Sequence, residues 1–409
     1  MSSTADSTRT WSRTLLLVVL GLSILKGLRM PNRWSVTQYL FGYDFGFITR
    51  GLFGEVLSVF GSWTRKYVVL AALAIVIAGT LVWLLTRLAV RLPEVIDRAG
   101  VTLVVLASPA IAMMAHLAGY LEQVGYLCAL SLVLLQRTWT VQLVMAIGAA
   151  IVLPFVHEAS ILWVGPLTML AVVVTPAGSP PPAVTTRMRA MGLLAVVWVL
   201  STAVVAVLGS RTSAAQVEAL RADRTASFDI RPRQDAFSPL AGRLSRSIEE
   251  MRRRWSDPAT QLDMAMSVAT FGPATILLAL VAIRRARTFA DPSTKEVGVI
   301  LTIFAIVAPL LLHAVAWDLH RWNALAALNA GVAALMMLGA RTDAVPVGGI
   351  AKPVGLTAGL AVAIWSIAAD PVFFDGYGAA HPPFVWHVTF LRDFFRTWDW
   401  SMWLPIVGN

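Results

Sequence analysis

Charge is scarce in this chain. Asp, Glu, Lys and Arg together make up only 14% of its 409 residues, against about 25% in soluble domains. Hydrophobic residues reach 57%, and the mean hydropathy is +0.71. A soluble domain has too little interior to hide that much apolar surface, so a soluble enzyme is excluded. Intrinsic disorder is excluded by the same richness. Cysteine is nearly missing: Cys128 stands alone, so no disulfide framework exists. No internal repeat is visible, which weighs against a transporter built from inverted repeats. Metal-ligand spacing is missing too. There is no D-x-D around Asp44, and His157-Glu158 fails to complete H-E-x-x-H because position 161 is Ile.

What remains is long apolar runs separated by short polar stretches, the pattern of helices that cross a bilayer. Such runs lie near 14–28, 67–86, 100–118, 120–135, 139–154, 158–175, 190–209, 264–283, 297–316, 323–340 and 353–369. The expected fold is therefore an all-α polytopic transmembrane helical bundle of about eleven spans. The apolar stretch from Val141 to Thr175 would make one helix of about 52 Å at 1.5 Å per residue, too long for one crossing. Pro154, ahead of Val156-His157-Glu158, offers the break that divides it in two. The first run follows a polar start with Arg9 and Arg13. No small-x-small cleavage site closes it, so it reads as a retained span.

The net charge of +10 would suggest nucleic acid in a soluble protein. Here the excess lies mostly in short loops, where it sets orientation instead, and no nucleic-acid partner is expected. With the N-terminus inside, the short inner segments hold 14 Lys and Arg and the short outer ones 8. Arg65 and Lys66 run against the count. The expectation is N-in, C-out. The chain then divides into helices over 1–209, including a first outer loop at 29–66; a polar outer loop at 210–263; helices over 264–369; and an aromatic-rich outer tail at 370–409. The first loop reads as helices lying in the interface, and the polar loop as helical near 213–222 and 240–254. Arg252, Arg253 and Arg254 fit a solvated helix face with Glu249 and Glu250 as partners, or else contacts with anionic carrier lipids or acidic glycans.

Ionisable residues at membrane depth are costly and point to function. In this orientation nearly all fall on the outer side: Asp44, Arg50 and Glu55; His116 and Glu122; His157 and Glu158; His313, Asp318, His320 and Arg321. A transporter needs a path through the midplane, whereas an enzyme at the outer leaflet needs polar groups on one side only. YDFGFITRGLFGE offers Asp44 as a carboxylate base and Arg50 as a phosphate ligand, or else an Asp44–Arg50 ion pair pinning a re-entrant loop. His157 and Glu158, being adjacent, would point about 100° apart on a helix. Glu158 could simply favour a helix N-terminus, or either residue could bind sugar hydroxyls or a diphosphate. Asp318 and Arg321 share a helix face, as an i,i+3 ion pair or with Arg321 holding a phosphate.

The YDFGFITRGLFGE loop, the PFVHE break and W-D-x-x-R-W together resemble polytopic proteins of bacterial surface-polysaccharide clusters. The layout is similar to the GT-C class of membrane glycosyltransferases. The chain departs from that class in its short first loop, in lacking a paired acidic motif, and in having no large soluble C-terminal domain. The resemblance implies a bacterial cytoplasmic membrane protein whose functional face is extracytoplasmic. It implies a polyprenyl-linked sugar donor and a glycan or lipid-linked acceptor, with Asp44 at the position of the catalytic base. Arg50 and Arg321 would then bind the donor phosphate, and Glu55, His157, Glu158, Asp318 and His320 the substrates. Nothing in the residues names a cofactor, and a divalent metal stays open. A transporter or flippase of a lipid-linked or amphiphilic substrate is the alternative, and a non-catalytic membrane scaffold the third reading.

Overall fold

The computed structural model describes residues 3–27, 30–90, 96–134, 138–174, 182–241, 244–316, 318–340 and 356–369. Every regular element among them is helical. The apolar N-terminal run forms α1 (Ser3–Gly27). Two short helices follow in the first loop, α2 (Arg33–Gln38) and α3 (Gly51–Ser58), before the long α4 (Tyr67–Val90). The segment expected as one span at 100–118 is instead two helices, α5 (Ile96–Ala107) and α6 (Pro109–His116). Pro109 cannot continue α5, and the Ser108 side chain caps the restart by accepting from the Ala110 N–H. Then come α7 (Glu122–Leu134) and α8 (Trp139–Val156). The break in the long run falls after Val156, two residues past the expected Pro154, which lies in the last turn of α8. The second half is itself divided at Gly165-Pro166, into α9 (Ser160–Trp163) and α10 (Gly165–Val173).

The remainder runs α11 (Val184–Gly209), α12 (Ala214–Ser227), α13 (Leu244–Trp255), α14 (Pro258–Ala286), α15 (Pro292–Val307), α16 (Leu319–Gly339) and α17 (Leu356–Ala368). A 3-10 turn over Ala308–Ala314 extends α15. Both helices expected in the polar loop are present. Arg254 pairs with Glu250 at 2.9 Å and Arg253 with Glu249 at 4.0 Å, the solvated ion pairs expected on α13. Among the described residues six helices are long and apolar enough to cross a membrane: Tyr67–Ala89, Trp139–Val156, Val184–Gly209, Pro258–Ala286, Pro292–Ala314 and Leu319–Gly339. Four further apolar helices are shorter. These segments make the chain a membrane protein by length and composition. The tail at 370–409 lies outside the described residues.

α16 is the axis of the bundle, buried at every residue from Leu319 to Met337. Its sequence, NALAALNAGVAALMM, is dominated by small residues, which let neighbouring backbones approach closely. Asn329 sits at its middle. It accepts from the Tyr126 hydroxyl at 2.7 Å and donates to the carbonyls of Trp163 at 2.9 Å and Ala305 at 2.6 Å. The Ala305 carbonyl needs that donor because its helical partner four residues on would be Pro309, which has no N–H. One side chain thus ties α7, α9 and α15 to the axis.

The polar connections gather at one end of this bundle. Ser35 donates to the Ala118 carbonyl at 3.3 Å, joining the first loop to the α6–α7 turn. Thr212 donates to Phe47 O at 3.0 Å, the Tyr67 N–H to Asp229 at 2.8 Å and the Arg233 N–H to Thr37 at 3.0 Å, so residues 212–233 lie against the first loop and the start of α4. Trp255 donates to His313 O at 3.2 Å, bringing in the approach to α16.

Candidate functional site

Two charged groups occupy that end. The larger begins with Arg50, the one non-glycine residue at positive φ (67°) among the described residues. It stands immediately before α3, where Gly51 leaves room for the Tyr43 ring; a Cβ there would lie 2.5 Å from it. Gly54, one turn on, packs against the Phe41 carbonyl, and a Cβ would meet that oxygen at 2.0 Å. These contacts hold Arg50 in place, and its guanidinium forks onto Glu158, with Nε–Oε2 at 2.9 Å and Nη2–Oε1 at 2.5 Å.

His157 and Glu158 occupy a turn, because α8 has ended and His157 is extended at φ −156°. The helical separation of about 100° therefore does not apply, and both residues face the same group. The imidazole Nδ1 accepts from the Ala159 N–H at 3.3 Å, so the neutral ring carries its proton on Nε2, which lies 3.9 Å from Glu122. Burial, reinforced by Arg50, pushes His157 down to about 4, which keeps the ring neutral near pH 7. Burial alone would raise Glu158, but the neighbouring Arg50 outweighs it and holds the carboxyl well below the usual range.

Glu122 is the deepest member, only 3% exposed. It lies 3.5 Å from Arg321, which also pairs with Asp318 at 3.0 Å. The i,i+3 pair expected from spacing is therefore present, and Arg321 additionally reaches across to α7. Its guanidinium rests against the rings of Trp322 at 4.1 Å, Tyr120 at 5.3 Å and Trp34 at 5.9 Å. The first loop, the start of α7, the α8–α9 turn and the start of α16 thus supply one continuous network: Arg50, Glu158, His157, Glu122, Arg321 and Asp318.

The second group holds Asp44. Its carboxylate pairs with Arg224 of α12 and not with Arg50, so the Asp44–Arg50 pair expected within the first loop is replaced by two longer-range ones. Arg224 also pairs with Asp223 and donates to the Leu40 carbonyl at 2.8 Å. Glu55 accepts from the Tyr43 N–H at 2.8 Å. Gly42 lies between the two carboxylates; a Cβ there would be 3.1 Å from Glu55 and 3.4 Å from Asp44. An aromatic layer adjoins both groups: Tyr43 stacks on Phe47, which meets Phe155 of α8 edge-on.

His320 does not join either group. Adjacent to Arg321 on α16, it turns the other way, edge-on to Phe271 of α14 at 6.5 Å. Among the described residues no three His, Cys, Asp or Glu side chains are grouped to hold a metal ion. Two members were not singled out from sequence as site residues. Glu122 carries a readable signal, an acid at the head of an apolar run. Arg224 carries none, being one of ten arginines between 210 and 263. Compared with protein-family models, with curated proteins and with solved structures, the chain finds no match in any of the three.

Proposed function

We propose that this protein is an extracytoplasmic glycosyltransferase or polysaccharide polymerase of a bacterial cytoplasmic membrane. It would transfer a sugar from a polyprenyl-linked donor to a cell-envelope glycan or a lipid-linked acceptor. The observation that carries the reading is the buried network joining four segments distant in sequence, with two guanidiniums, at one end of the bundle. Such a concentration of charge is costly to build in a membrane protein and suits a phosphate-bearing substrate. In this reading Arg50 and Arg321 hold the donor phosphate. The half-exposed Asp44 takes the acceptor hydroxyl proton as the new glycosidic bond forms. The sugar–phosphate bond breaks and polyprenyl phosphate leaves. Glu55, His157, Glu158 and Asp318 are the candidates for substrate contacts; His320, turned toward Phe271, is no longer one.

The same reading carries eleven spans with the N-terminus inside and the charged end outside. Cysteine labelling at Ser213 and Ser293 in a Cys128→Ser background should mark Ser213 from outside and Ser293 from inside. Both marked from one face would sink the orientation. The chemistry is tested by reconstituting the protein in liposomes with a polyprenyl-phosphate sugar and a lipid-linked glycan acceptor. Release of polyprenyl phosphate coupled to acceptor extension is expected. Unmodified donor translocated across the bilayer, with no product, would replace the enzyme by a flippase.

A further inference from the structure

The network contains three carboxylates, Glu122, Glu158 and Asp318, against two guanidiniums, with His157 neutral. Its formal charge is therefore −1 before any ligand arrives. Adding a phosphate to it unchanged would bring a second uncompensated negative charge into a poorly solvated place, which is strongly unfavourable. A phosphate ligand must instead take the place of one of the carboxylates. Exchange of a carboxylate for a singly charged phosphodiester leaves the charge of the network unaltered.

We infer that the Glu158 carboxylate occupies the seat of an anionic phosphate ester on Arg50 and leaves when that ligand binds. The inference rests on the reading of Arg50 as a phosphate ligand and names its resident competitor. Three observations select Glu158. Its side chain is 35% exposed, against 3% for Glu122, so it has a route to water. It sits on the α8–α9 turn, outside regular helix, where a change of side-chain rotamer disturbs no helical hydrogen bond. Its contact with Arg50 is the forked one, through Nε and Nη2, and those same two donors fit two oxygens of a phosphate. Asp318 is a poorer candidate, since it stands three residues from Arg321 at the start of the same helix and departs only by abandoning that local pair. Arg50 itself stays, flanked by the close packing of Gly51 on the Tyr43 ring and of Gly54 on the Phe41 carbonyl, and is only 11% exposed.

The test uses the full chain in nanodiscs of phosphatidylcholine, titrated in one arm with dimethyl phosphate and in the other with a polyprenyl-phosphate sugar in the disc, both singly charged phosphodiesters, with thermal shift and phosphorus NMR as readouts. Glu158→Gln should bind the phosphate about tenfold more tightly than the wild type, an internal competitor worth about 1.4 kcal/mol having been removed. Arg50→Lys should weaken binding in both backgrounds. Tightening in both arms identifies the phosphate group itself as the ligand; tightening in the lipid arm alone identifies a lipid headgroup. Glu158→Asp, which draws the carboxylate back by one methylene, should tighten binding less and serves if Glu158→Gln fails to fold. Glu158 variants that bind no tighter than the wild type, while Arg50→Lys still weakens binding, overturn the inference and leave the phosphate reading standing. Absence of binding by every form removes both.

Discussion

Arg321→Gln should be the most destabilising single substitution at the charged end of the bundle. Without the guanidinium, Glu122 loses its nearest cation and is left beside the neutral His157, at 3.9 Å, in a site with 3% exposure. Breaking a buried ion pair by removing one partner costs about 3–5 kcal/mol, because the other charge is left uncompensated. Contacts with Trp322, Tyr120 and Trp34 are lost as well. Adding Glu122→Gln should recover a large part of the loss, since Arg50–Glu158 is still paired and, of the two carboxylates that Arg321 served, only the more exposed Asp318 keeps its charge. Recovery should stop short of wild type, because the ring contacts with the guanidinium do not return. The measurement is a double-mutant cycle by thermal or denaturant unfolding in detergent. Strictly additive losses would show that Arg321 and Glu122 do not interact, and the network would reduce to separate local pairs.

Asp44→Asn should lower turnover by roughly 10²–10⁴, the usual contribution of a general base, while leaving the fold largely intact. The substitution keeps the shape and one hydrogen bond to Arg224. The carboxylate is half exposed, so the ion pair itself contributes only about 0–1 kcal/mol to stability. Arg224→Gln is the control, because it removes the pair yet keeps the carboxylate. If Asp44 serves only to fasten α12 to the first loop, the two variants should lose stability and activity in parallel. If it accepts the proton, Asp44→Asn should lose turnover alone, and Arg224→Gln should retain most of it. Full turnover by a folded Asp44→Asn protein would move the search for the base to another carboxylate, Glu158 first.

The electrostatic pairs separate what spacing can reveal from what it cannot. Asp318 and Arg321 meet because three residues is nearly one helical turn, and that pair is readable from the chain alone. Arg50 and Glu158 are 108 residues apart, and their meeting depends on how α3 lies across the end of α8. Asp44 reaches Arg224 over 180 residues, a partner that no local pattern selects from the arginines of that loop. His157 and Glu158 face one network only because α8 stops at Val156; on a continuous helix they would have diverged.

Composition and the lengths of the apolar runs determined by themselves that this is a helical membrane protein, since such surface is stable only when buried or in lipid. Proline placed one interruption approximately, near Pro154, because a missing N–H weakens a helix at that point; the break at Ser108-Pro109, inside a run that reads as one span, came only with the structure. The concentration of ionisable side chains in a few connections was equally visible. Tertiary structure alone decided which of them meet. It brought Glu122 between Arg321 and His157, set Glu158 on Arg50, turned His320 away toward Phe271, and gave Asp44 to Arg224. The reason is geometric: a contact between two helices is set by the rotation and depth of each against its neighbours, and neither quantity is written in the spacing of residues along one of them.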